Sequence, residues 1–288
     1  MIKQFVKYSI SVVLFASLTA CSTMQTGTKS SVVDYLYPSD SAPDIQPSIP
    51  VLQLPIKMGI AFVPGEIKRS SGDNPLSWSQ SGANSLSETQ KMRILENIAA
   101  HFRPLEFIGD IQIIPSPYLT PKGGFSNLDQ IKTMYGIDVI ALVSYDQVQF
   151  TDDSKLSLSY WTLVGAYLVA GQINDTNTLM DTVVYSIDSR KMLFRAPGTS
   201  IIKGRSTPVN LSEELRADSL QGFTIASENM VTNLDIQLEQ FKQRLKQRPD
   251  DVKIVRTEGY SGGGAFNVAA LFSMLILLCV KLIRLRKR

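Results

Sequence analysis

Histidine and cysteine, the side chains most often used for nucleophilic and metal chemistry, are nearly absent from this sequence. His101 is the single histidine, and Cys21 and Cys279 are the two cysteines. A Ser-His-Asp or Cys-His site would have to use His101, which ends a predicted helix and is better explained by exposure or by contact with the helix dipole. His-rich zinc sites and CxxC redox pairs cannot be built from these residues.

Carboxylates are the remaining candidates for acid–base chemistry. The pairs Asp152-Asp153, Glu213-Glu214 and Asp250-Asp251 are adjacent in sequence, so their side chains point apart, and we interpret them as turn and cap residues. The segment Gly27-Thr28-Lys29-Ser30 lacks the first glycine of a phosphate-binding loop. We therefore predict no catalytic, cofactor or metal site and no enzyme activity. A hydrolase whose carboxylates converge from distant segments is the alternative.

Charge is distributed unevenly along the 288 residues. The formal net charge is +3, but residues 1–20 and 265–288 contain basic side chains and no acid. Without these two ends, acidic side chains outnumber basic ones by about four. Nucleic-acid binding requires a clustered cationic surface, so we predict no nucleic-acid partner.

The residues before Cys21 indicate what its thiol does. Two lysines precede an apolar stretch, Ile10 to Leu18, that is too short to cross a bilayer and is typical of an export signal. The segment Leu18-Thr19-Ala20-Cys21 resembles the lipobox of bacterial lipoproteins. This resemblance implies cleavage between Ala20 and Cys21, diacylglycerol on the Cys21 thiol and, because Ser22 is not aspartate, forwarding to the outer membrane. An ordinary signal peptide with a chance cysteine is the alternative.

A second apolar segment lies near the other end of the chain. Ala265 to Val280 carries no charge, and Lys281 and four further cations follow it. As a helix it would be about 24 Å long, and snorkelling of Lys281 extends it toward the hydrocarbon core of about 30 Å. We predict a transmembrane helix within residues 265–288, with its basic end in the cytoplasm and the body on the periplasmic side.

Glycines stand just before this predicted helix. Ser261-Gly262-Gly263-Gly264, followed by an apolar segment and a basic end, resembles the GlyGly-CTERM sorting signal that the rhomboid-type protease rhombosortase cuts. Glycines unwind easily, and an intramembrane protease needs extended backbone. The resemblance implies processing at Ser261, Gly262, Gly263 and Gly264. A lipobox and such a tail together resemble the rhombotarget lipoproteins. A permanent membrane anchor behind a flexible hinge is the alternative.

Composition divides the chain into five parts. They are a lipoprotein signal peptide (1–20), a Ser/Pro-rich tether (21–55), an α/β body (56–256), a Gly-rich hinge and cleavage region (257–264) and the transmembrane sorting tail (265–288). The tether contains one apolar island, which we expect to dock on the body or on a partner and which consists of Val32, Val33, Tyr35, Leu36 and Tyr37.

The body is predicted to be a single α/β domain with a mixed sheet. Apolar periodicity predicts, in chain order, a strand at Ile56–Val63, a helix capped by Ser85 and ending at Phe102, a strand at Phe107–Ile114, a helix at Ser126–Tyr135 and a strand at Ile137–Tyr145. This β-α-β-α-β order predicts parallel pairing. The unbroken apolar run Val139 to Val143 places the third strand in the middle of the sheet.

The second half of the body is predicted to be a hairpin followed by a long helix. The elements are strands at Leu179–Ile187 and Met192–Lys203, a helix capped by Asn210 that runs to Arg248, and a short strand at Val252–Val255. The apolar segment Tyr160–Gly171 has two interpretations: a buried strand or loop, or an exposed patch that touches a membrane or another subunit.

These features predict an exported envelope or surface lipoprotein without a cofactor. Its expected partners are the membrane, lipoprotein-processing enzymes and a rhomboid-type protease. The alternative is a homo-oligomeric lipoprotein that assists export or surface assembly, because the strand–helix order and the predicted lipid also weakly resemble the curli secretion channel protein.

Overall fold

The computed structural model describes residues 24–38, 48–66, 86–153, 171–207 and 209–257. The strands are β1 Met24–Ser30, β2 Val51–Leu54, β3 Ile56–Phe62, β4 Gly65–Glu66, β5 Ile108–Ile114, β6 Val139–Asp153, β7 Gln172–Ser186, β8 Lys191–Ser206 and β9 Lys253–Arg256. The α-helices are α1 Val32–Leu36, α2 Glu88–Phe102, α3 Gly124–Tyr135 and α4 Leu211–Gln247.

The long strand β6 organises a mixed seven-stranded sheet. Along its whole length β6 pairs antiparallel with β7, which pairs in turn with β8. On its other edge, residues 139–143 pair parallel with β3, and residues 146–151 pair antiparallel with β1. Because β5 also pairs parallel with β3, the predicted β-α-β-α-β unit and its parallel pairing are confirmed. The described residues thus form one mixed α/β domain with a long C-terminal helix.

Helices cover both faces of the sheet where its strands are parallel. Met58, Ile60 and Phe62 of β3 face α2 and α4, whereas Ala61 faces α1 and α3. β6 divides in the same way, with Val139, Ala141 and Val143 on one side and Ile140 and Leu142 on the other. A strand that is buried on both faces is apolar at every position, as predicted for the run from Val139 to Val143.

The predicted hairpin is confirmed, but its strands are longer than predicted. The β7–β8 register extends from Ser186 and Lys191, beside the turn, to Gln172 and Ser206. The added half of the hairpin buries polar side chains such as Asn174 and Thr176. Apolar alternation therefore could not reveal it.

The segment expected to be a tether is partly folded into the body. β1 pairs with β6, and β2 pairs in parallel with β9, near the C-terminal end of the body. In α1, Tyr35 and Leu36 are buried, and the Tyr35 hydroxyl donates a hydrogen bond of 2.8 Å to Asn127 Oδ1. The apolar island therefore docks on the body. The body begins upstream of residue 56, since the structure includes residues 24–38 and 48–54.

Helix starts differ in detail from the sequence expectations. The N-cap of α2 is Ser87, whose side chain accepts a hydrogen bond from the Gln90 amide, whereas Ser85 lies outside the described residues. Asn210 is the N-cap of α4, as expected, but its side chain makes no capping bond. Its Oδ1 instead accepts from the Thr207 amide at 2.7 Å.

Two predicted features lie mostly or wholly outside the described residues. The structure does not describe 154–170, which holds nearly all of the Tyr160–Gly171 segment, or 258–288, which holds the predicted transmembrane tail. Among the residues that it does describe, no helix combines the length and apolarity needed to cross a membrane.

Candidate functional site

The residues predicted to be processed lie outside the described ranges, but their attachment points are defined. Cys21 and Ala20 precede the first described residue, Met24, and Ser261 to Gly264 follow the last, Thr257. Cys21 is three positions before Met24, where β1 begins. The body therefore starts almost immediately after the predicted lipid.

The two attachment points lie toward opposite ends of the sheet. At the N-terminal attachment point, Met24 of β1 pairs with Thr151, near the end of β6. At the other end of the sheet, β3 pairs with the start of β6 at Val139, and β3 follows directly after β2. β9 pairs with β2, and the Thr257 amide donates to the Leu54 carbonyl at 3.0 Å. Along β6, Val139 and Thr151 are roughly 40 Å apart at a strand rise of about 3.3 Å per residue.

His101 makes a helix–helix contact. Its Nε2 lies 2.7 Å from Asp235 Oδ1, which links the last turn of α2 to α4, and both side chains are substantially exposed. The acidic pairs are dispersed: Asp152-Asp153 end β6, Glu213-Glu214 lie in the first turn of α4, and Asp250-Asp251 lie in a 3-10 helix. Within the described ranges, no three His, Cys, Asp or Glu side chains group in a way that could hold a metal ion.

One concave feature of the described structure is an apolar cavity of about 170 Å³. It lies between the sheet, the helices α2 and α4, and the β2–β9 pair. The sheet and β2–β9 contribute Leu52, Leu54, Ile56, Met58, Ile60, Ile108, Val139, Ala141, Thr182, Val184, Leu193, Phe194 and Ile254. The helices and the loop before β5 contribute Ile98, Phe102, Phe107, Leu234, Leu238, Phe241, Lys242 and Leu245.

The lining of this cavity has little capacity for chemistry. Its polar members are Thr182, whose Oγ1 lies 3.0 Å from the Met230 sulfur, and Lys242, whose ammonium lies 5.1 Å from the centre of the Phe107 ring. The other side chains neither donate nor accept protons. The arrangement therefore suits an apolar occupant.

The same face of the sheet becomes polar toward the end where Met24 of β1 pairs with Thr151. Gln147 Nε2 donates to Thr178 Oγ1 at 2.7 Å and to the Ser219 carbonyl at 3.1 Å. Gln149 Nε2 donates to the Leu215 carbonyl of α4 at 2.8 Å. These buried bonds fix the first half of α4 on the sheet, because polar groups removed from water must keep their partners.

Asp218 is the acidic residue of this polar face. Its side chain is buried against Gly204, and its Oδ2 has no hydrogen-bond partner. Burial raises the pKa of the Asp218 carboxyl, and the neighbouring charge of Glu214 raises it further. Asp218 therefore opposes ionisation more than an exposed aspartate does.

Sequence reasoning missed both the cavity and the polar face. The cavity draws on elements from β2 to β9, and each lining residue looks like ordinary core. The polar face did leave a signal, since Gln147, Gln149 and Thr151 alternate along β6 and Asn174, Thr176 and Thr178 alternate along β7. Alternation of this kind indicates one buried face even when the buried residues are polar.

No family model matches the chain, and no curated protein matches it. Among solved structures, the chain is similar to a PelC dodecamer from Paraburkholderia phytofirmans at 10% sequence identity. That similarity covers 70% of this chain and 99% of the PelC chain, with a TM-score of 0.23.

Proposed function

We propose that this chain is an exported lipoprotein that carries a non-enzymatic binding body directly at a membrane. The observation that carries the proposal is the short spacing between Cys21 and β1, which begins at Met24. Lipidation after cleavage between Ala20 and Cys21 would hold the sheet within roughly 10 Å of the bilayer surface, at about 3.4 Å per residue. The destination in this proposal is the outer membrane or the cell surface.

The C-terminal end is proposed to be a removable sorting signal. The sequence after Thr257 holds the glycines 262–264 and then the apolar run 265–280. In this proposal residues 265–288 span the inner membrane until a rhomboid-type protease cuts near Ser261 to Gly264. The separation of the attachment points supports this order, because a lipid in one membrane and a helix in another would pull on opposite ends of the body.

The non-enzymatic part of the proposal rests on the cavity. Its walls are almost entirely aliphatic and aromatic, and His101 is engaged with Asp235 on an exposed surface. Such a site can bind an apolar group by excluding water, and Lys242 is the one titratable side chain among its lining residues.

Metabolic labelling with radioactive palmitate tests the lipid. The wild-type chain and a Cys279→Ser control should incorporate equal label, and Cys21→Ser should incorporate none. Cys279 is the matched control because it is the other cysteine of the chain. Equal labelling of Cys21→Ser and wild type would refute lipidation at Cys21.

Intact-mass measurement tests the tail. Protein extracted from membranes should be lighter by about 3 kDa than the lipidated chain with its tail, given 31.9 kDa for all 288 residues. When the rhomboid-type protease is deleted, or when Gly262 to Gly264 are replaced by leucines, the tail should stay attached and the protein should keep its higher mass. A tail that persists in wild-type cells would support the permanent-anchor alternative.

A homo-oligomer that assists export or surface assembly is the second candidate. It is favoured by Ile173, Leu179 and Ile201, which project from one face of the β7–β8 hairpin and are 41%, 38% and 67% exposed. Light scattering over a concentration series should show assembly that Ile201→Lys weakens. A monomer at every concentration would exclude this candidate.

A further inference from the structure

We propose that the apolar cavity binds the alkyl chain of a medium-length fatty acid, with the carboxylate of the ligand beside Lys242. The cavity volume of about 170 Å³ defines the length of the buried chain. An apolar protein cavity of about 150 Å³ holds benzene, so this one accommodates roughly six to eight carbon atoms. A fatty acid of about ten carbons would fill it and leave its head at the rim.

The exposure of the lining residues locates the mouth of the cavity. Ile98, Ile60 and Leu234 are fully buried, whereas Ile254 of β9 is 49% exposed and the Lys242 side chain is 41% exposed. The opening therefore lies between β9 and the last turns of α4. An alkyl chain that enters there passes Lys242 before it reaches the interior.

The charge at this mouth favours an anionic head group. The Lys242 ammonium lies 5.1 Å from the centre of the Phe107 ring, and both residues line the cavity. Glu239 Oε2 lies 3.7 Å from the same ammonium and competes with a bound carboxylate. The attraction is consequently partial, and removal of the Glu239 charge should strengthen it.

The cavity is separate from the proposed lipid of the same chain. Its sheet residues Val139 and Ala141 lie near the start of β6, roughly 33–40 Å along the strand from Thr151, which pairs with Met24 of β1. A fatty acid from solution or from a membrane is therefore the proposed occupant, and binding does not depend on Cys21.

Photo-crosslinking of the full-length chain in membrane vesicles tests the proposal. The probe is a ten-carbon fatty acid with a terminal diazirine, and labelled peptides are mapped by mass spectrometry. We expect labelling on β6 and α4 at the cavity. Decanoate should compete with the probe, whereas decyltrimethylammonium should compete poorly. Equal competition by the cationic amphiphile, or labelling that maps elsewhere, would overturn the proposal.

Matched variants make the test independent of folding. Lys242→Gln should reduce labelling about two- to fivefold, Glu239→Gln should increase it by a similar factor, and Lys246→Gln on the same helix should leave it unchanged. Ala141→Leu fills the cavity and should abolish labelling. Unchanged labelling in Lys242→Gln and Ala141→Leu would refute the site. The Cys21→Ser variant should be labelled by the probe like wild type, because binding does not depend on Cys21. This result separates the test of the cavity from the test of lipidation.

Discussion

The side-chain amide of Asn229 on α4 donates a hydrogen bond of 2.8 Å to the backbone carbonyl of Thr199 on β8. Asn233 and Arg244 of the same helix donate to the carbonyls of Pro197 and Leu193. Among the described strands β8 pairs with β7 alone, so these carbonyls belong to its outer edge. The helix thus occupies backbone groups through which an edge strand could recruit another chain.

Loss of the hydrogen bonds from α4 to the outer edge of β8 should promote self-association of the protein. We expect an Asn229→Ala, Asn233→Ala double variant to lose about 1–3 kcal/mol of unfolding free energy, because two hydrogen bonds disappear. It should also aggregate at lower protein concentration than wild type. Light scattering and urea denaturation measure the two effects. Thr232→Ala is the control, since its hydroxyl bonds only within α4, to the Glu228 carbonyl. Equal aggregation of all three proteins would contradict the proposed role of the helix.

The close approach of α4 to β8 depends on Gly198. A methyl group at this position would overlap the backbone of Ala226 and Met230 on the helix. We expect Gly198→Ala to destabilise the protein by about 3 kcal/mol, as measured by chemical denaturation. Gly27→Ala on β1 is the control, because the nearest atom to its new methyl group would be 3.7 Å away. Similar stability of the two variants would show that α4 can shift without cost.

The buried Asp218 carboxyl should make stability depend on pH. Its pKa is raised in the folded state, so folding favours the protonated form. The free energy of unfolding therefore falls as pH rises from the usual value of 3.8 through the raised pKa. Asp218→Asn should stabilise the protein by about 1 kcal/mol at neutral pH.

The same substitution should have little effect below the usual aspartate pKa of 3.8, where both forms are uncharged. Denaturation curves of wild type and Asp218→Asn at neutral and acidic pH would show this convergence. Glu213→Gln, at an exposed acid in the first turn of the same helix, should behave like wild type. A stability difference that is constant with pH would argue that packing, and not ionisation, dominates at Asp218.

The start of α2 offers a direct comparison between sequence and structure. Ser87 accepts from the Gln90 amide while the Gln90 side chain accepts from the Ser87 amide at 2.8 Å. Ser87→Ala should therefore cost about 1 kcal/mol, and Ser85→Ala should be neutral. Thermal unfolding followed by circular dichroism distinguishes them. If Ser85→Ala were the more destabilising of the two variants, the sequence-based prediction that Ser85 caps the helix would be correct.

The sequence patterns predicted the elements that bury apolar side chains. β3, α2, β5 and the first half of β6 are formed by Ile, Leu, Val, Met and Phe at strand or helix spacing, and these elements were recognised. β1 and the distal half of the hairpin bury Thr, Asn and Ser instead. Their stability comes from backbone pairing and side-chain hydrogen bonds, which leave no hydrophobic pattern.

The candidate sites also differ in how far the sequence alone can indicate them. Cys21 and Gly262 to Gly264 belong to short motifs that are read in one stretch of sequence, and they remain predictions. The cavity depends on how the β2–β9 pair closes against Leu238 and Phe241 of α4. Residues so far apart in sequence are brought together only by tertiary packing, so no local pattern could have indicated the cavity.

Met24 and Thr257 lie toward opposite ends of the sheet. If the acyl group holds the β1 end at the bilayer and the strands stand along the membrane normal, the mouth beside Ile254 lies roughly 40 Å above the lipid surface, at a strand rise of about 3.3 Å per residue. The sheet then separates the cavity from the membrane surface. In that arrangement the mouth of the cavity faces the aqueous side, where a fatty acid would arrive from solution, from a carrier or from a facing membrane.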